Sequence, residues 1–103
     1  MPTDSGRPRV VLKWPVLVND LEQMIGGGPV AHVECQANPN TVMVWTIELA
    51  DQDAAEIQMR WVQVYGTGQP VPPGSSHLGS CLTLGGSLVW HVFSHSAVDW
   101  DRY

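Results

Sequence analysis

Between residues 78 and 95 the chain reads as two apolar runs hinged on Gly85-Gly86, and this hairpin most constrains what it can fold into. A Gly-Gly pair between alternating runs is a strong turn signal, because both glycines reach positive φ without steric cost. With the glycines as the turn, Leu84 faces Ser87, Leu82 faces Val89, Ser80 faces His91 and Leu78 faces Phe93. The opposite face sets Cys81 against Trp90, with Leu88 and Val92 beside them. Both faces are therefore apolar. Such a hairpin must lie at the centre of a sandwich or barrel, or meet another subunit.

The rest of the sequence repeats the theme of short β-rich runs between turn residues. Residues 9–14 form the first run, and Pro15 puts its far end at a sheet edge or a bend. Residues 16–25 are read as a turn plus a short strand, because Asn19-Asp20 and Gly26-Gly27-Gly28 oppose a helix there. In residues 30–36, Ala31, Val33 and Cys35 face one way and His32, Glu34 and Gln36 the other, as in a half-buried antiparallel strand. Residues 41–49 put Met43, Trp45, Ile47 and Leu49 on one face and Val42, Val44, Thr46 and Glu48 on the other.

Residues 51–56 are an acidic loop with room for one helical turn. Residues 57–65 change phase between Trp61 and Val62, for which a β-bulge would account. Trp45 and Trp61 both fit core positions on this reading. Residues 66–76 form the longest loop, stiffened by Pro70, Pro72 and Pro73. The expected fold is all-β: a small antiparallel β-sandwich or barrel of about six to seven strands. It occupies residues 9–95, with a flexible leader at 1–8 and an irregular tail at 96–103.

Composition narrows the function classes. Five Lys+Arg against ten Asp+Glu give a formal charge of -5, the wrong sign for non-specific binding to nucleic acid or an anionic membrane. No run approaches the ~20 apolar residues of a membrane span. The start of the chain shows no apolar core behind a basic segment, so a cytoplasmic site of action is expected. On that expectation Cys35 and Cys81 are two reduced thiols.

Candidate chemistry is sparse. Gly66-Thr67-Gly68 lacks the Lys-Ser/Thr and the helix of a phosphate loop, and reads as a tight turn that needs glycine. His91 and His95 would lie ~13 Å apart on a strand, too far to share an ion. His77 falls in the loop and His32 beside Glu34 on an exposed face, so no metal site and no cofactor is expected. His91, opposite Ser80, reads as a hydrogen-bonded histidine on a sheet face. Pairing Cys81 or Cys35 with His91 would give a thiol nucleophile, but free Cys is more often a small buried hydrophobe. No nucleophile elbow occurs. A non-catalytic protein is therefore expected, with a hydrolase using His91 or Cys81 as the outside alternative.

The five tryptophans are the one unusual signal. Trp and Tyr beyond what a thin core absorbs are common interface anchors. Trp90, Leu88 and Val92, with Trp14 or Trp100, are the expected anchors of a homo-oligomer. A second reading is a small-ligand sequestering protein. In it Arg60, Tyr65, Gly66, Thr67, Gly68 and Gln69 would form a pocket for a nucleotide or other anion.

The run from Tyr65 through Gly66-Thr67-Gly68-Gln69-Pro70-Val71-Pro72, and the closing Leu88-Val89-Trp90-His91-Val92-Phe93, carry a resemblance. So do Lys13-Trp14-Pro15, Val33-Glu34-Cys35-Gln36 and Val42-Met43-Val44-Trp45, in that order along the chain. Together these segments resemble a family of small uncharacterised bacteriophage proteins, mostly from phages of actinobacteria, over residues 9–95. The motifs mark the family and identify no activity. Gln69 stands where that family usually has histidine, which speaks against a catalytic or metal role at this position. The resemblance implies a viral origin, expression in the bacterial host cytoplasm and an accessory role. The expected partners are a second copy of the chain and a host or virion protein. A virion decoration or structural subunit is the remaining alternative.

Overall fold

The computed structural model describes residues 6–36, 40–83 and 86–95. Its seven strands are β1 (Arg9–Leu17), β2 (Gln23–Gly26), β3 (Val30–Cys35), β4 (Thr41–Leu49), β5 (Met59–Gly66), β6 (Ser76–Leu82) and β7 (Val89–His95). A short 3-10 turn, Ala54–Glu56, lies in the acidic loop. All pairings are antiparallel. The strands form a three-stranded sheet ordered β1-β4-β3 and a four-stranded sheet ordered β2-β5-β7-β6. Val16, Val42 and Val44 from the first sheet meet Ile25, Val62, Val64 and Val92 from the second in one core. The fold is thus an all-β sandwich, as the turn spacing predicts.

Branched aliphatics dominate this core because two facing sheets stand only about 10 Å apart, a gap that such side chains fill. The same constraint reverses the expected orientation of β4. Val42, Val44 and Thr46 are fully buried between the sheets, and Glu48 is 6% exposed. Trp45, Ile47 and Leu49 face out and are half-buried. Trp45 is paired with Lys13 and His32, and the His32 ring lies 5.2 Å from it. A wide indole is accommodated on the outer surface under long neighbours more easily than between the sheets. Trp61 is likewise not a core residue; it is 37% exposed on the outer face of the four-stranded sheet.

The expected bulge at Trp61–Val62 is absent, since β5 keeps one register with β7 from Trp61 to Gly66. Its even-numbered residues Val62 and Val64 point inward, and Met59 and Trp61 are apolar residues on the outer side. Bulges occur instead between Val30 and His32 in β3, and between His77 and Gly79 in β6. The first leaves Ala31 exposed rather than on the stripe of Val33 and Cys35. The second alters the closing hairpin. Leu82 pairs with Val89, Cys81 with Trp90 and Ser80 with His91 as read from the sequence, but His77 replaces Leu78 opposite Phe93. The pairing of Leu84 with Ser87 lies outside the described residues.

Cys35 and Cys81 are joined in a disulfide, which corrects the expectation of two thiols. The topology leaves β3 and β6 as sheet edges on the same side of the sandwich. Their Cα atoms stand 5.7 Å apart, within the range that a disulfide spans. Nearby, Gly79 packs against the Val33 side chain and leaves no room for a Cβ. The end of the expected leader is also tied down. The Arg7 guanidinium donates to both carboxylate oxygens of Asp51, at 2.7 and 3.1 Å, and Ala50 N–H donates to Pro8 O at 3.0 Å. Residues 1–5 and the tail at 96–103 lie outside the described residues.

Candidate functional site

Strand alternation sends Val92 into the core and turns His91, Phe93 and His95 outward on β7. Cross-strand register then sets Tyr65 beside His91, Gln63 beside Phe93 and Trp61 beside His95. On the other flank, the β6 bulge brings both His77 and Ser80 to this surface, although they are three residues apart. A bulge re-aims one side chain by inserting an extra residue, and here the re-aimed residue is His77. Three of the chain's four histidines thus share one sheet face with Trp61, Tyr65 and Phe93.

Two hydrogen-bonded groups run across this face. In the first, His95 Nδ1 is 2.7 Å from Glu22 Oε2, and His95 Nε2 is 2.6 Å from the Tyr65 hydroxyl. An ionised carboxylate only accepts, so His95 Nδ1–H donates to Glu22, and in the tautomer this selects the Tyr65 hydroxyl donates a hydrogen bond to Nε2. Tyr65 is 4% exposed, covered by the rings of Phe93 and His95 at 5.7 and 6.0 Å. Burial, and then the Glu22 charge, push its phenol above the usual tyrosine value of 10.0. Tyr65 is therefore a donor at neutral pH and not a nucleophilic phenolate.

In the second group, Thr67 Oγ1 is 2.9 Å from His91 Nε2, and Ser80 Oγ is 2.7 Å from His91 Nδ1. Ser80 Oγ is also 2.8 Å from His77 Nε2. One serine hydroxyl therefore stands between two imidazoles. The sequence foretells the pair Ser80–His91. It hides His77, because neither the bulge nor its position was legible; the signal available was Gly79 inside an otherwise regular strand. Glu22, Phe93 and His95 were missed for a related reason: their convergence depends on how the loop before β2 meets β7.

The residues proposed for an anion pocket do not come together. Tyr65 and Gly66 lie at one end of β5 and Arg60 near the other, about 17–20 Å away by strand rise. The Arg60 guanidinium is instead committed to the carbonyls of Gly27 and Gly28. Desolvation lowers its pKa, and the neighbouring Glu48 charge opposes that shift. Gly66, Thr67, Gly68 and Gln69 do form the tight turn. Gln69 N–H donates to Gly66 O at 3.1 Å, Gly68 has φ of 87°, and Gln69 Oε1 accepts the Gly66 N–H at 3.0 Å. Two of the loop's amides are thereby used internally rather than offered to an anion.

The expected interface residues also divide. Val92 is fully buried, and Trp90 and Trp14 are half-buried against the core. The Trp14 indole donates to Thr46 Oγ1 at 2.8 Å. These three serve the interior of the sandwich. Leu88 is 52% exposed, and Trp100 lies outside the described residues. Three of the exposed apolar residues lie together elsewhere: Met24 is paired with Trp61, and Met59 lies two residues from Trp61 on the same outer face.

A separate cleft of 610 Å³ opens beside the triple glycine and is floored by Glu48. Glu48 Oε2 accepts the Gly28 N–H at 3.0 Å and the Thr46 hydroxyl at 2.6 Å. Among the described residues, no group of three or more His, Cys, Asp or Glu is arranged to hold a metal ion. No helix among them is long and apolar enough to cross a membrane.

Residues 8–101 match the model of a family described as a domain of unknown function (DUF7352), and the chain belongs to that family. No curated protein and no solved structure matches it.

Proposed function

We propose that the chain is a non-catalytic accessory protein of a bacteriophage that acts by binding protein. The first partner is a second copy of itself, and the docking surface is the outer face of the four-stranded sheet. One observation carries this reading: Met24 is 47% exposed, Met59 38% and Trp61 37%, and the three are neighbours on that face. Exposed apolar residues scattered singly are ordinary, whereas adjacent ones on a regular surface mark association sites. Trp and Met are also enriched in interface cores. Gln63, half-buried on the same face, supplies an amide beside them of the kind a polar rim uses.

Sedimentation velocity across micromolar concentrations tests the proposal. The wild-type chain is expected to self-associate, and Trp61→Asp to give a monomer with an unchanged far-ultraviolet circular dichroism spectrum. A wild-type monomer at every concentration removes the self-association reading.

The Cys35–Cys81 disulfide favours a second reading, in which the chain is a structural or decoration subunit of the virion. Disulfides persist outside reducing cytoplasm, and a particle component spends its working life there. Mass spectrometry of purified particles separates this reading from action in the host cytoplasm: absence from the particle excludes it.

A further inference from the structure

The convergence of two imidazoles on Ser80 has a use beyond protein docking. We propose that His77 and His91 form a binding site for one divalent transition-metal ion of the zinc, copper or nickel class, with the Ser80 hydroxyl and solvent completing the coordination. His77 Nε2 and His91 Nδ1 lie 2.8 and 2.7 Å from the same oxygen. The two nitrogens therefore flank one hydroxyl. Ser80 has a single proton to give, so one nitrogen donates to it and must release that proton, or shift it to the ring's other nitrogen, when an ion binds. An ion holding both at ~2.0–2.1 Å needs them no more than ~4 Å apart, and His77 and Ser80 are exposed, where side chains can rearrange around it.

The orientation of His91 suits a ligand. Thr67 Oγ1 sits on its far nitrogen at 2.9 Å. In the tautomer where Thr67 accepts from Nε2–H, the Nδ1 lone pair is directed at Ser80, the outer-shell role that orients metal-binding histidines. His77 is placed by the β6 bulge, a feature over-represented next to functional sites. A donor set of neutral imidazoles and a hydroxyl selects zinc, copper and nickel over magnesium and calcium, which require carboxylates and carbonyls. With two imidazoles from this chain, the remaining positions are open to water or to a side chain of a docked partner.

The test is calorimetry and copper electron paramagnetic resonance on the tag-free, oxidised full chain, titrated with zinc, nickel, copper and magnesium chlorides. The expected result is one zinc, nickel or copper ion per chain, no magnesium, and nitrogen hyperfine structure from two imidazoles. His77→Ala and His91→Ala should each abolish binding, while His32→Ala, on the other sheet, leaves it intact. Thr67→Val should weaken it about tenfold or more through the lost outer-shell contact. Binding that survives both His77→Ala and His91→Ala, binding that follows His95 instead, or no binding of the three metals overturns the proposal. Long-range proton–nitrogen spectra of the imidazoles give a second readout on folded variants, because only metal-bound nitrogens shift on titration.

Discussion

The Gly28 N–H donates to the Glu48 carboxylate across 3.0 Å, and that carboxylate fills the space that a side chain at Gly26 would need. The triple glycine is thus a close approach of backbone to a buried charge. A Cβ on Gly28 would collide with the Ile47 carbonyl, and one on Gly27 would lie 2.9 Å from the Gln58 carbonyl. The Arg60 guanidinium donates to the carbonyls of Gly27 and Gly28. Carboxylate, glycines and guanidinium form one clamp around the triple glycine.

Removing the carboxylate should therefore cost more than removing its charge. Glu48→Ala strands the Gly28 N–H and leaves a void; the expected loss is about 2–4 kcal/mol. Glu48→Gln keeps an acceptor oxygen and should lose about 1 kcal/mol. Urea unfolding monitored by tryptophan fluorescence gives both numbers, and equal losses in the two variants would count against the clamp.

The clamp also shows where sequence reading succeeds and where it stops. Gly26-Gly27-Gly28 was legible as an interruption, and Leu82–Val89, Cys81–Trp90 and Ser80–His91 as pairs, because turn chemistry and a period of two are local properties. The inward side of β4 was not legible, since both of its faces are apolar enough to be buried. Glu48 decided the matter only through partners supplied by Gly28 and Thr46. Cys35 and Cys81 are 46 positions apart, and nothing local in either strand announces that two sheet edges will meet. The histidine face was half legible: His91 and Ser80 follow from register, while His77 needed the bulge.

Reduction of the Cys35–Cys81 disulfide should destabilise the fold markedly. Its cysteines are 46 positions apart, and chain-entropy arguments give about 4 kcal/mol for a loop of that size. Thermal melts with and without reductant, alongside Cys35→Ser/Cys81→Ser, measure the difference. Intact-mass spectrometry of the alkylated chain reports the bond directly, and quantitative alkylation of both thiols without reductant would falsify it.

Val92 and Leu88 occupy the same arm of the closing hairpin and should respond unequally to truncation. Val92 is fully buried and Leu88 is 52% exposed. Val92→Ala should lose about 1–3 kcal/mol through transfer and cavity effects. Leu88→Ala should stay within about 0.5 kcal/mol of wild type. Denaturant midpoints at one protein concentration, below any self-association, provide the comparison. Similar shifts in the two variants would mean that the hairpin does not sit as described.

Tyr65 predicts how stability changes in alkali. Burial and the Glu22 charge raise its pKa above 10.0 in the folded protein, while the unfolded chain keeps the ordinary value near ~10. Below that value both states hold the phenolic proton and Tyr65 contributes no pH dependence. Above it the unfolded chain loses its proton first, so stability falls as pH rises towards the folded pKa. Absorbance titration of the phenolate band should show a step above the ordinary tyrosine range that Tyr65→Phe removes. The variant loses the hydrogen bond to His95, at about 1 kcal/mol near neutral pH. Its stability should then decline less steeply in alkali than that of the wild type. A native chain in which both tyrosines ionise together at the ordinary value would show that Tyr65 is not enclosed by Phe93 and His95.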